Sequence, residues 1–187
     1  MNKKLLWKSL PADMKPHGFQ YKIGEWYKHT GELKLCFSGF HSSESVIDAM
    51  GFVNAEVIAR VEVRGDSLKE SDKQVWSEMK IVKAWKWKRE DSISLAIFAA
   101  ELVIDIFEKK YPNDKRPREA IEAAKRVLKN DTKENRAAAG AARVAADAAD
   151  AARVAAGAAR VAARAGIKLK CEKFVIERLR NCKEIEK

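Results

Sequence analysis

Between Arg136 and Gly166 the chain is written almost entirely in alanine, punctuated by Arg143, Asp147, Asp150, Arg153, Arg160 and Arg164. The phrase Ala-Ala-Arg-Val-Ala-Ala begins at Ala141, again at Ala151 and again at Ala158. Alanine loses no side-chain entropy on entering a helix and ranks first in helix propensity, so this stretch predicts helix, with Gly140, Gly157 and Gly166 as the places where it can break. A helix clad in methyl groups cannot build a core from bulky side chains. It has to lie close against other helices and show its arginines where its surface is free.

The flanking sequence supplies those neighbours. At Asp91-Ser92 the apolar period changes from two to about 3.6. Ile93, Ala96, Ile97, Ala100, Ile104 and Phe107 then form one stripe, capped by Asp91 or Ser92 and stopped before Pro112. Pro117 suits a first helical turn and starts a second helix that carries Ile121, Ala124 and Leu128 inward. Asp131 to Glu134 has the spacing of a capping box at the start of the alanine-rich helix. Beyond Gly166, Ile167, Cys171, Phe174, Val175 or Ile176, Leu179, Cys182 and Ile185 form a last stripe.

The first half has a different texture. Gly18 to Gly24 and Leu33 to Phe37 alternate apolar and polar residues about a turn at His29 to Glu32, which predicts a hairpin. Ser42 to Met50 reads as a short helix capped by Ser43 or Ser45. Alternation returns over Ala55 to Val63, with Val57, Ala59, Val61 and Val63 on one face, and over Met79 to Trp87, with the polar segment Arg64 to Gln74 between them. The expected fold is α+β: a small, mostly antiparallel sheet module over residues 1–90, then an alanine-rich helical bundle over 91–187.

The net charge of +10 favours an acidic partner, nucleic acid or protein. It is spread rather than gathered: residues 1–90 hold 16 Lys and Arg against 12 Asp and Glu, and the remainder 21 against 15. A concentrated basic arm would argue for DNA; this distribution weakens that reading. Cys36, Cys171 and Cys182 are odd in number and form no CxxC pair, so no disulfide framework, metal or cofactor is expected. No run of about 18 apolar residues occurs, and the basic start has too short an apolar stretch for a signal peptide. The expectation is a cytoplasmic protein.

Four features could carry chemistry. His41, five residues after Cys36, reads either as the base of a thiol and imidazole pair or as part of a polar turn after a buried strand cysteine. Gly39-Phe40-His41-Ser42-Ser43-Glu44-Ser45 resembles the serine strand motif of ADP-ribosyltransferases, which would need His17 or His29 upstream and Glu56 or Glu62 as the glutamate. Trp76, Trp85 and Trp87 interleave with Lys80, Lys83, Lys86, Lys88 and Arg89. That pattern suits either a base-stacking surface or a sheet with Trp85 and Trp87 on one face and lysines on the other. On an unbroken helix Arg153, Arg160 and Arg164 fall within about 40° of each other, while Arg143 can pair with Asp147 one turn on.

The run Phe107-Glu108-Lys109-Lys110-Tyr111-Pro112, Asp114, Arg116-Pro117-Arg118-Glu119-Ala120-Ile121-Glu122-Ala123-Ala124 and the alanine and arginine repeats resembles the immunity protein family found beside bacterial polymorphic toxins, over about residues 91–166. The resemblance implies a helical protein that binds and neutralises a toxin without catalysis. Gly18-Phe19-Gln20-Tyr21, Ile23-Gly24, Tyr27, Cys36 and Gly39-Phe40-His41-Ser42 are similar to a domain of unknown function common in phage and prophage proteins. Together they imply an inhibitor of mobile-element type, aimed at a toxin or a host defence nuclease such as a CRISPR effector. The expected partner-binding residues are Arg143, Arg153, Arg160, Arg164, Trp85, Trp87, Lys86 and Lys88, with a nucleic-acid-binding module as the alternative.

Overall fold

The computed structural model describes residues 4–51, 55–137 and 159–186, which divide into two compact units: residues 1–88 with 175–187, and residues 89–174. The first unit is built on a long hairpin. β4 (Val57–Lys69) and β5 (Gln74–Lys86) pair antiparallel, and three shorter strands complete the sheet: β1 (Lys4–Leu10) beside β4, and β2 (Trp26–Lys28) and β3 (Phe40–Ser42) beside β5. Ser43 then exchanges two backbone hydrogen bonds with Trp7, of 2.8 and 2.9 Å, so β3 reaches round to β1 and the sheet curls upon itself. The edge of β5 is covered along its length. β3 meets residues 74–76 and β2 meets residues 78–80. Near the end of the strand, the Ile185 amide donates to the Ala84 carbonyl.

Val57, Ala59, Val61 and Val63 face inward as their alternation requires, packed with Leu6, Leu10, Tyr21, Phe40, Met79 and Ile81. The strand extends through the polar segment that sequence assigned to a connection, because the hairpin arms outlast the core. Two bulges bend it. Val82 is the extra residue opposite Arg60 and Val61, and the second irregularity falls between Arg64 and Ser67, where Gly65 takes a φ of +83°.

The expected hairpin over residues 18–37 does not form. Residues 16–18 make a 3₁₀ turn, β2 is only three residues, and Leu35 to Phe37 turn tightly between Lys34 and Ser38, with Cys36 at a φ of +68°. Alternation there belongs to loop residues, of which Tyr21 is buried in the core while Phe37 stays exposed, and not to a strand. The short helix is present as α1 (Val46–Met50), with Ser45 as its cap: the hydroxyl accepts the Asp48 amide at 3.4 Å.

In the second unit the predicted single helix from residue 91 is two, α2 (Arg89–Glu101) and α3 (Ile104–Lys110), with a break at Leu102-Val103. α2 starts before the expected caps, and Asp91 is buried inside its first turn. α4 (Arg116–Lys129) places Pro117 in its first turn. Ile121 and Ala124 meet the core as expected, and Ala123 and Val127 are buried as well, but Leu128 is 36 % exposed, so at the end of the helix Val127 is the inward residue instead. Ile97, Ile104 and Ile121 form the core with Ile93, Ala100, Phe107 and Ala124 around them. Arg118 fastens α4 to α3 by two hydrogen bonds to Glu108, of 2.9 and 2.7 Å. Ile121→Ala is expected to cost about 3 kcal/mol, since a cavity is left where three helices meet. A lowered urea midpoint in helical circular dichroism would show it; an unchanged midpoint would place Ile121 outside the core.

The capping box is shifted by one residue. Thr132 Oγ1 accepts the Asn135 amide at 3.1 Å, residues 133–137 are helical, and Asp131 instead pairs with Arg89 and Arg136. Most of the alanine-rich stretch lies outside the described residues, including Arg143, Arg153, Gly140 and Gly157. α5 (Ala159–Leu179) runs straight through Gly166 and buries Cys171, Val175 and Leu179 at steps of four. Between the alternatives Val175 and Ile176, Val175 is the inward residue and Ile176 is exposed.

Candidate functional site

A cavity of about 680 Å³ opens in the first unit. β1 supplies Trp7, Lys8 and Ser9; the turn at residues 16–18 and the segment after it supply His17, Phe19 and Tyr21; β3 and its approach supply Cys36 to Ser43. Lys28, His29 and Lys73 complete the rim. The charges are of one sign. Three lysines and three histidines line the space, and none of the lining residues is an aspartate or glutamate.

Lys8 is the centre of this arrangement. Its Nζ donates to the His41 carbonyl at 2.8 Å and lies 5.6 Å from the Tyr21 ring. Part of the side chain is reached from the cavity, yet burial holds the ammonium well below the ordinary lysine range, at about 8. One strand position away, Ser42 Oγ is buried and has no hydrogen-bond partner among the described residues. A buried hydroxyl left unsatisfied costs about 1–3 kcal/mol.

His41 does not serve Cys36 as a base. Its Nε2 accepts the Cys36 backbone amide at 2.8 Å, so that lone pair is engaged. Burial, then the positive charge of Lys8, hold the imidazole below its usual value. The Cys36 side chain is instead a neighbour of Lys73, whose ammonium it and Glu70, 3.2 Å away, hold above the ordinary lysine value. Of the two readings of this segment, the structure favours the turn, with cysteine on an exposed loop rather than in a strand. The transferase motif does place Ser42, Ser43, His17 and His29 around one cavity. Its glutamate is missing: Glu62 pairs with Lys80 at 2.8 Å and Glu56 accepts the Ala12 amide at 3.2 Å, and neither lines the cavity.

The tryptophans do not share a face. Val82 shifts the parity of β5, so Trp85 is on the outer face with Lys83, 6.2 Å from Trp7, whose ring carries the Arg60 guanidinium at 4.5 Å. The strand ends at Lys86, and Trp87 turns inward to 3 % exposure. Lys86 and Lys88 are exposed, but Trp87 offers no face to a base and Trp85 is half-buried. Of the expected arginines, Arg160 and Arg164 fall on the backbone of α5, and Arg143 and Arg153 lie outside the described residues. Sequence reading gave His17 and His29 a chemical role only through the transferase motif, and it gave Lys8 none. Only the closing of β3 on β1 brings them together.

No helix among the described residues is long and apolar enough to cross a membrane, and these residues contain no group of three His, Cys, Asp or Glu placed to hold a metal ion. Residues 4–91 match the model of a domain of unknown function, DUF7666, and residues 86–167 match the model described as Imm-5 like putative immunity protein. No curated protein and no solved structure matches the chain.

Proposed function

We propose that a chain whose residues 86–167 match an immunity protein model acts as a non-catalytic inhibitor, of the kind carried by phages and mobile elements, that binds a toxin or a defence nuclease and blocks it by occlusion. That match is the observation carrying the proposal. The helices of the second unit supply a packed scaffold, and a rigid face loses little entropy on binding. Arg143, Arg153, Arg160 and Arg164 are the residues assigned to acidic groups on the target, because their sequence spacing gathers three of them on one side of a helix. Nucleic acid is the less favoured partner: Trp87 is buried, and a base needs an open ring face.

Co-expression with a toxin or nuclease encoded in the same gene neighbourhood tests the proposal. The expected result is restored growth and a complex that survives gel filtration. Reversing Arg153, Arg160 and Arg164 to glutamate should weaken that complex by about 100-fold or more, since like charges then face each other across the contact. Tight binding to DNA alone, with a steep salt slope, would overturn the protein-target reading.

A further inference from the structure

The lining of the first unit's cavity exceeds what its fold requires. A lysine facing a sheet core is expensive, and a neutral carbonyl is poor compensation for the water its ammonium has lost. Lys8 nonetheless points to the His41 carbonyl with no carboxylate lining the space around it. Beside it the Ser42 hydroxyl, 4 % exposed, is unsatisfied. Lys28 and His17 stand at the rim as further donors, beside His29 and beside Lys73, which pairs with Glu70 at 3.2 Å. A phosphate group answers all of these at once: it accepts from the ammonium and the hydroxyl, and it carries the missing charge.

The lining also holds aromatic rings, Trp7, Phe19, Tyr21, Phe37 and Phe40. Phe19, 44 % exposed, and Phe37, 87 % exposed, both line the cavity, and neither ring is withdrawn into the core. Phe19 packs edge-on against Tyr21 and Tyr27, with ring centroids at 4.9 and 5.2 Å. Two rim residues, His17 and Cys36, hold left-handed backbone that non-glycine residues adopt only at a cost of about 1–3 kcal/mol, a strain that concentrates at binding sites. The volume lies inside the range of small-molecule sites.

We propose that this cavity binds a nucleoside phosphate, with its phosphate on Lys8 and Ser42 and its base against Phe19 and Phe37. Neither family match assigns such a site, and the inhibitor reading of the helical unit stands whether or not the site exists.

Calorimetric titration of the full chain with AMP, GMP, CMP and UMP, and with inorganic phosphate and adenosine as fragments, tests it. At least one nucleotide is expected to bind, and both fragments should bind at least about tenfold more weakly than it does, because each makes only half of the contacts. Lys8→Met and Phe19→Leu should each weaken binding by about tenfold or more, the range that a charge-assisted hydrogen bond or a stacked base supplies. Lys22→Met, at a lysine paired with Glu25 outside the cavity, should leave affinity unchanged. Tryptophan fluorescence confirms that each variant is folded; if Lys8→Met is not, Phe19→Leu and Ser42→Ala decide. Absence of nucleotide binding at millimolar concentration would overturn the proposal. So would inorganic phosphate binding as tightly as the nucleotides, or affinity that no cavity substitution moves.

Discussion

Gly39→Ala is expected to destabilise the sheet unit by about 2–5 kcal/mol. Gly39 holds a φ of +94°, a conformation that costs an L-residue about 1–2 kcal/mol. A Cβ there would also sit 2.6 Å from Val75 Cγ2 and 2.7 Å from Leu33 Cδ2, and forcing a methyl into filled space adds about 1–3 kcal/mol. Gly18→Ala separates the two causes. Gly18 has a similar φ, +82°, but nothing lies within 4 Å of its added Cβ, so only the backbone cost of about 1–2 kcal/mol applies. All five tryptophans, Trp7, Trp26, Trp76, Trp85 and Trp87, belong to the sheet unit, so their fluorescence in urea reports its unfolding. The midpoint should fall much further for Gly39→Ala than for Gly18→Ala. Equal shifts would show that close packing at Gly39 contributes nothing.

Gly39 matters beyond stability because it turns the chain into β3, and β3 carries His41 and Ser42 to the cavity. The sequence signals leading there were uneven. Alternation over Val57 to Val63 was legible because one face is fully buried and one-residue slips are costly. The same alternation in Leu33 to Phe37 misled, since so short a pattern also arises in a tight turn, where Phe37 stays exposed. Nothing in the residue types of Met14, His17 or Cys36 announces left-handed backbone, which tertiary contacts impose. Val82 is likewise an ordinary strand residue, and its bulge, invisible in composition, decided which tryptophan faces out. Helix existence was read more securely than helix phase. Propensity and caps act locally, whereas the choice of Val127 over Leu128 as the inward residue depends on where α2 lies.

The cavity was the least legible feature for a related reason. Its lining comes from segments separated by as much as Trp7 to Lys73, joined only when β3 pairs with both β5 and β1. The two family matches meet at residues 86–91, where the apolar period changes. Val175 to Lys187 nevertheless belongs to the sheet unit, through the pairing of Ile185 with Ala84. A boundary drawn from composition has no means of registering such a return.

Lys8→Met should strengthen the fold at neutral pH while removing the proposed phosphate contact. With a folded pKa of about 8 against 10.5 for a free lysine, the folded state releases this proton first as pH rises. Between those values the unfolded chain binds more protons, so stability increases with pH there, by a total of about 3 kcal/mol. Below pH 8 the burden is present in full, and the methionine variant escapes it. Loss of the hydrogen bond to His41 offsets about 1 kcal/mol, leaving a net gain of about 2 kcal/mol at pH 7. Other groups near Lys8 act in other windows. Tyr21 is raised above its usual value by burial, so its contribution is lost only as pH climbs beyond 10, and His41 is held low and titrates below neutrality. Subtracting the two proteins' urea stabilities from pH 7 to 10 isolates Lys8: the variant's advantage should shrink as pH rises. An advantage independent of pH would mean that the ammonium is solvated in the folded state. The unpaired charge at the cavity would then impose no cost for an anion to relieve.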